Sequence, residues 1–98
     1  MKIDTVIDIA RSKRLVDLNE EGRVNPTYRR LIHTLMSYKK VYEVETVDEM
    51  FSASNPWREW EIRWLRLPNS GRKSLNLFKE IVFGLGLYDY EKFLKKWN

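Results

Sequence analysis

Apolar residues in this chain recur mostly every three or four positions, the period of a helix with one buried face. Over residues 4–18 the pattern predicts a first helix, with Ile3, Val6, Ile7 and Ala10 as its stripe and Asp4 placed to cap it. "NEEGRVNP" then interrupts the period, with Gly22 and Pro26 as punctuation. The second helix is the clearest. Tyr28, Leu31, Ile32, Leu35 and Met36 form one apolar face up to about Lys39, with Thr27 as the candidate cap and Pro26 closing the loop before it. Strand-like alternation is confined to the short "KVYEVETV".

Thr46 and Glu49 have the spacing of a capping box, which predicts a short helix that turns Val47, Met50 and Phe51 inward. Asn55 followed by Pro56 is a helix start, and Trp57, Trp60 and Trp64 then share a face. Arg58, Glu59, Glu61 and Arg63 are expected to point mostly outward, and Pro68 ends that helix. A further helix over about 73–83 carries Leu75, Phe78, Ile81 and Val82 inward, and Gly84 or Gly86 closes it. Asp89 can cap a last one, with Tyr90, Phe93, Leu94 and Trp97 on one face. The expected fold is a single all-α domain over 1–98, a compact bundle of five or six short helices.

Composition narrows the function classes. There is no cysteine and one histidine, so thiolate metal sites, cysteine nucleophiles and serine–histidine triads find little support. No enzyme activity, metal or cofactor is expected. No apolar run has membrane-spanning length, and "MKIDTVIDIARSKR" lacks a signal-peptide core, so no membrane partner and a cytoplasmic location are expected. The net charge is +4, and much of the basic excess sits in "RSKR" at 11–14, "YRR" at 28–30, "GRK" at 71–73 and "KFLKK" at 92–96. Acids collect in "NEE" and "EVETVDE", which reads as a solvated acidic face. A basic face suited to nucleic acid forms if the fold brings the basic segments together.

"RLPNSGRKSLNLFKEI" carries the candidate chemistry. Proline, asparagine and glycine place a tight turn between two helices. The amides of Gly71, Arg72, Lys73 and Ser74 fall in the first turn of the second helix, where they lack intrahelical acceptors. With the helix dipole, the two cations and the Ser74 hydroxyl they can hold a phosphate. An ordinary turn with a solvated basic first turn has the same spacing. Cations at a helix N-terminus oppose the dipole, which tilts the balance toward binding. "GRKS" is not a P-loop: Arg66 stands where the first glycine belongs, arginine follows Gly71, and no strand precedes it.

Leu65–Leu87 resembles the C-terminal domain of the bacterial RNA polymerase alpha subunit. The family run is Leu-x-x-Pro-Asn-x-Gly-[Lys/Arg]-Lys-Ser-Leu-x-x-hydrophobic-Lys. Pro68, Asn69, Gly71, Arg72, Lys73, Ser74, Leu75 and Lys79 fit it, and Leu77 stands where the family has glutamate. "TVDEM" is similar to the family's short second helix and Tyr28–Lys39 to its first, so the likeness spans about 28–87. Residues 1–25 read as an N-terminal helical extension and 88–98 as a C-terminal helix beyond it. About three extra residues fall around Tyr38–Glu45 and more around the tryptophan-rich Ser52–Glu61.

The resemblance implies a SAM-like fold with a helix-hairpin-helix that binds duplex DNA in the A/T-rich minor groove and through phosphates, in a transcription-related role. It implies Arg30 as the groove reader, with His33 in the place of the family's asparagine. The residues implied at the DNA are thus Arg30, His33, Asn69, Gly71, Arg72, Lys73 and Ser74. No counterpart of the subunit's assembly domain is in the sequence, so a free-standing relative is expected, of bacterial or phage origin and nucleoid-associated if it binds DNA. The alternative is a protein–protein module of the same fold that binds RNA polymerase or a regulator through the tryptophan face or the acidic segment. Helical spacing favours core packing of the tryptophans over stacking on bases. His33 reads as a helix-surface histidine before a DNA contact, and "KFLKKW" as a helix docked on the core.

Overall fold

The computed structural model describes residues 1–52 and 59–88, which form an all-α bundle with no strand among them. Its helices are α1 (Ile3–Lys13), α2 (Pro26–Tyr42), α3 (Val47–Ser52), α4 (Glu59–Arg66) and α5 (Arg72–Lys79), and a π-helical turn, Glu80–Gly84, continues α5. The expected Asn55–Pro56 helix start, Trp57, Arg58 and the helix after Asp89 lie outside the described residues.

α1 starts one residue before the expected cap. Lys2 is the capping position, and Ile3 N–H donates to Glu45 O at 2.9 Å, so the chain before α1 is pinned to the segment before α3. Asp4 lies in the first turn, where it favours the dipole, and accepts from Lys39 Nζ at 2.8 Å. That bond is the main cause of the raised Lys39 pKa. α1 also stops at Lys13 rather than near 18. Asp17 is drawn off the helix line to accept from the Tyr28 hydroxyl at 2.6 Å and from Lys13 at 3.1 Å. The Tyr28 bond, then Lys13, hold the Asp17 pKa down; burial, then Asp17, push Tyr28 up.

Asn25 caps α2 in place of Thr27, accepting from Thr27 N–H at 3.0 Å with Pro26 at N1. α2 runs through the "KVY" of the alternating stretch and ends at Tyr42, where the cap Glu43 takes a left-handed φ of 52°. Tyr28, Leu31, Ile32 and Leu35 are buried as expected, but Met36 is exposed and Tyr38 fills the core. Half of the Thr46 box forms: Glu49 N–H donates to Thr46 Oγ1 at 3.0 Å, and that hydroxyl, rather than the Thr46 amide, donates to the Glu49 carboxylate at 3.1 Å.

One continuous core joins the elements. Ile3, Val6, Ile7 and Ala10 of α1 belong to it, so the expected N-terminal extension is part of the bundle's centre. α2 packs against α1, α4 and α5. Phe78 lies between Trp64 (5.0 Å between ring centroids) and Trp60 (5.6 Å), and Phe51 packs on Trp60 at 4.9 Å. Glu59, Glu61 and Arg63 do not simply point outward. They are half-buried in ion pairs, Arg63 with Glu59 and Lys79 with Glu61, and Arg63 also caps the Tyr42 ring.

Tyr38 is fully buried and its hydroxyl has no hydrogen-bond partner among the described residues. Burial raises its pKa from 10.0 to about 12, with Arg63 opposing the rise. The unfolded chain therefore loses this proton before the folded one, and stability falls as pH rises from 10 toward 12. Tyr38→Phe is expected to match or exceed the wild type in melting temperature at pH 7 and to flatten that alkaline loss, as followed by thermal denaturation at stepped pH.

Candidate nucleic-acid interface

α4 and α5 are joined by a tight turn over Leu67–Ser70. Ser70 N–H donates to Leu67 O at 3.3 Å, and the Ser70 hydroxyl reinforces it at 2.7 Å. Pro68 at the second position supplies the fixed φ of a type II turn, and the third position needs a positive φ. Asn69 provides it with φ 59°, so this exposed residue has a backbone reason to be asparagine. Gly71, the N-cap of α5, is fully extended at φ −174°, a conformation open to any residue, and a Cβ there would meet nothing within 4 Å.

Ser74 is where the sequence expectation and the geometry part. Its side chain is buried, and its hydroxyl donates to Gly71 O at 2.9 Å. The same oxygen accepts from Gly71 N–H and from Trp64 Nε1, both at 3.3 Å. One donor and two lone pairs are the whole capacity of a hydroxyl. The Ser74 hydroxyl and the Gly71 amide thus serve the fold rather than a phosphate. Glycine has no side chain to return the bond, so this is half of a capping box. The amides of Arg72, Lys73 and Ser74 remain as first-turn donors without intrahelical acceptors.

Arg72 and Lys73 are exposed and in no ion pair among the described residues, and the first turn of α5 contains no acid. α1, α3 and α4 all open with acidic residues, as the dipole prefers; α2 and α5 do not. Arg72 also borders a groove between α4 and α5 that includes Glu61, Ile62, Leu65, Asn76 and Lys79.

The residues expected on α2 divide. Arg30 is exposed, and no hydrogen bond joins it to the 71–74 turn. His33 is exposed one turn on, with Arg29, Ile32 and Met36, along an open cavity that Arg11 and Arg14 of the α1 end complete. Arg11, Arg14 and Arg29 were not among the expected site residues. The basic runs "RSKR" and "YRR" were their only signal, and their meeting depends on how α1 crosses α2. Trp60 and Trp64, the possible base-stacking or partner face, are 1% and 0% exposed and belong to the core. The acidic segment is exposed at Glu43, Glu45, Asp48 and Glu49, while Val44 and Val47 anchor it.

Among the described residues no helix is long and apolar enough to cross a membrane, and no group of three or more His, Asp or Glu side chains is placed to hold a metal. Compared with family models, curated proteins and solved structures, the chain finds no significant match.

The Ser74 network generates a stability prediction. Ser74→Ala leaves the buried Trp64 N–H without an acceptor, which costs about 1–3 kcal/mol. Urea denaturation should show a lower midpoint with an unchanged slope. A midpoint equal to the wild type would show that the network contributes nothing.

Proposed function

We propose that this chain is a non-enzymatic domain that binds duplex DNA, with the α4–turn–α5 unit acting as a helix-hairpin-helix phosphate clamp. The observation that carries the reading is the exposed, unpaired Arg72–Lys73 pair in an acid-free first turn beside open amides. Such a pair costs the helix a little against its dipole, and a bound phosphate offsets that cost. Arg30, exposed on α2, is the reading's candidate for the minor groove, where narrow A/T-rich tracts attract arginine. That preference, the transcription-related role and the place of the chain beside the alpha C-terminal domain rest on the Pro68–Ser74 resemblance. Asn69 contributes the turn, and Ser74 contributes an amide.

For the interaction-module reading, Trp60 and Trp64 are buried and Trp57 lies outside the described residues, so the tryptophan face lends it little. That reading keeps the acidic segment at 43–49 and gives no role to the basic mouth of α5.

Phosphate contacts release counterions, so affinity falls with salt along a slope of about −0.9 per phosphate neutralised. Arg72→Ala and Lys73→Ala should each weaken duplex binding and reduce that slope by about 1 without changing the preference among sequences. Arg30→Ala should in addition narrow the gap between A/T-rich and G/C-rich duplexes. The check is an electrophoretic or anisotropy titration of each variant over a salt series. Unchanged affinity in Lys73→Ala would sink the clamp.

A further inference from the structure

The cavity between α1 and α2 has an unusual charge pattern for a small bundle. Arg11 and Arg14, one turn apart at the end of α1, form one wall, and Arg29 and His33, one turn apart on α2, form the other. Ile32 and Met36 complete the lining, which among the described residues includes no acid, and the space measures about 410 Å³. Of its arginines, Arg11 meets Asp8 at 3.9 Å, with both side chains more than half exposed. Arg14, Arg29 and His33 form no ion pair among the described residues.

Two of these cations have a bland explanation and one does not. Arg11 and Arg14 at the C-terminal end of α1 suit its dipole. Arg29 lies near the start of α2, where the dipole opposes it and the helix's own first turn holds no acid. Arg29 shares the lining of an open cleft with two further arginines, and like charges in one cleft repel. An anion between the walls turns that repulsion into attraction, and guanidinium forks match phosphate oxygens in pairs.

We infer that the α1–α2 groove is a phosphate-ester site, separate from the mouth of α5. Arg11, Arg14 and Arg29 hold the phosphate oxygens, His33 stands at its rim, and Ile32 and Met36 give an apolar floor for the sugar. Two sources supply that chemistry, a duplex backbone and a free nucleotide. The exposed arc of α2 favours the backbone. Arg30 lies only about 60° round the helix from His33, so one strand can run from the groove onto the surface assigned to DNA above. The site itself does not depend on that assignment.

His33 is the sole histidine, so its ring proton is an isolated NMR reporter of the groove. The full chain is titrated at fixed pH and ionic strength with a short duplex and, separately, with adenosine 5′-monophosphate. A saturable His33 shift is expected with the duplex. In Arg11→Ala/Arg14→Ala, with both changes at exposed or half-exposed positions, the apparent affinity read from that shift should weaken roughly tenfold or more. Lys2→Ala, which removes an exposed charge outside the groove, should leave it unchanged. A shift with the nucleotide alone supports the site and assigns it to free nucleotides. No saturable shift with either probe, or an equal shift in the double variant, overturns the inference. Duplex binding by anisotropy without any His33 response would leave the α5 clamp standing and remove the groove.

Discussion

The hydroxyl of Ser74 holds the α4–turn–α5 half of this molecule in shape. It takes a hydrogen bond from Trp64 of α4, takes another from the Gly71 amide and gives one to the Gly71 carbonyl, all beneath the surface. Through it the end of α4, the turn and the start of α5 become one unit. A buried indole N–H needs an acceptor, and a helix N-terminus needs its orphan amides satisfied; one oxygen meets both needs. With Ser74 fixed inward, the 100° step of the helix turns Arg72 and Lys73 to solvent. The exposed cations are thus a consequence of the buried node. The large rings of Trp64, Phe78 and Trp60 then anchor that unit to the core.

Charge is distributed by a rule with two exceptions. Three helices begin with acids and so are stabilised by their own dipoles; α2 and α5 begin without any and carry arginine or lysine in or beside their first turns. Both exceptions fall on the surfaces with unpaired cations, while the acids of 43–49 occupy the segment between α2 and α3. Among the described helices, these two are the ones whose first turns hold no acid to favour the dipole. Under the proposed function, a bound anion offsets that local cost at both.

The periodicity made most of the core legible. Leu31, Leu35, Trp60, Trp64, Phe78 and Val82 are where a 3.6-residue period puts them, and the Thr46 cap on the Glu49 amide is local chemistry readable from two letters. Met36, placed on the apolar face by its period, is exposed, and Tyr38 fills the core beside the Trp64 ring of α4, a contact made across the fold. The end of α1 was misplaced for a similar reason, since Tyr28 captures Asp17 from eleven residues away. The turn was legible in its residues but not in its division of labour. Spacing shows that Ser74 can donate to a phosphate; only the packed structure shows that Trp64 and Gly71 already occupy it. The meeting of Arg11 and Arg14 with Arg29 was invisible for the plainest reason, that helix crossing is not written in either helix alone.

The most direct test of the account is the affinity of the unmodified chain for duplex DNA at two salt concentrations, measured by fluorescence anisotropy with A/T-rich and G/C-rich duplexes. The account predicts saturable binding at low salt, tighter on the A/T-rich duplex, that weakens steeply as salt rises. Binding that is absent at low salt, or equally strong at both concentrations, would contradict it.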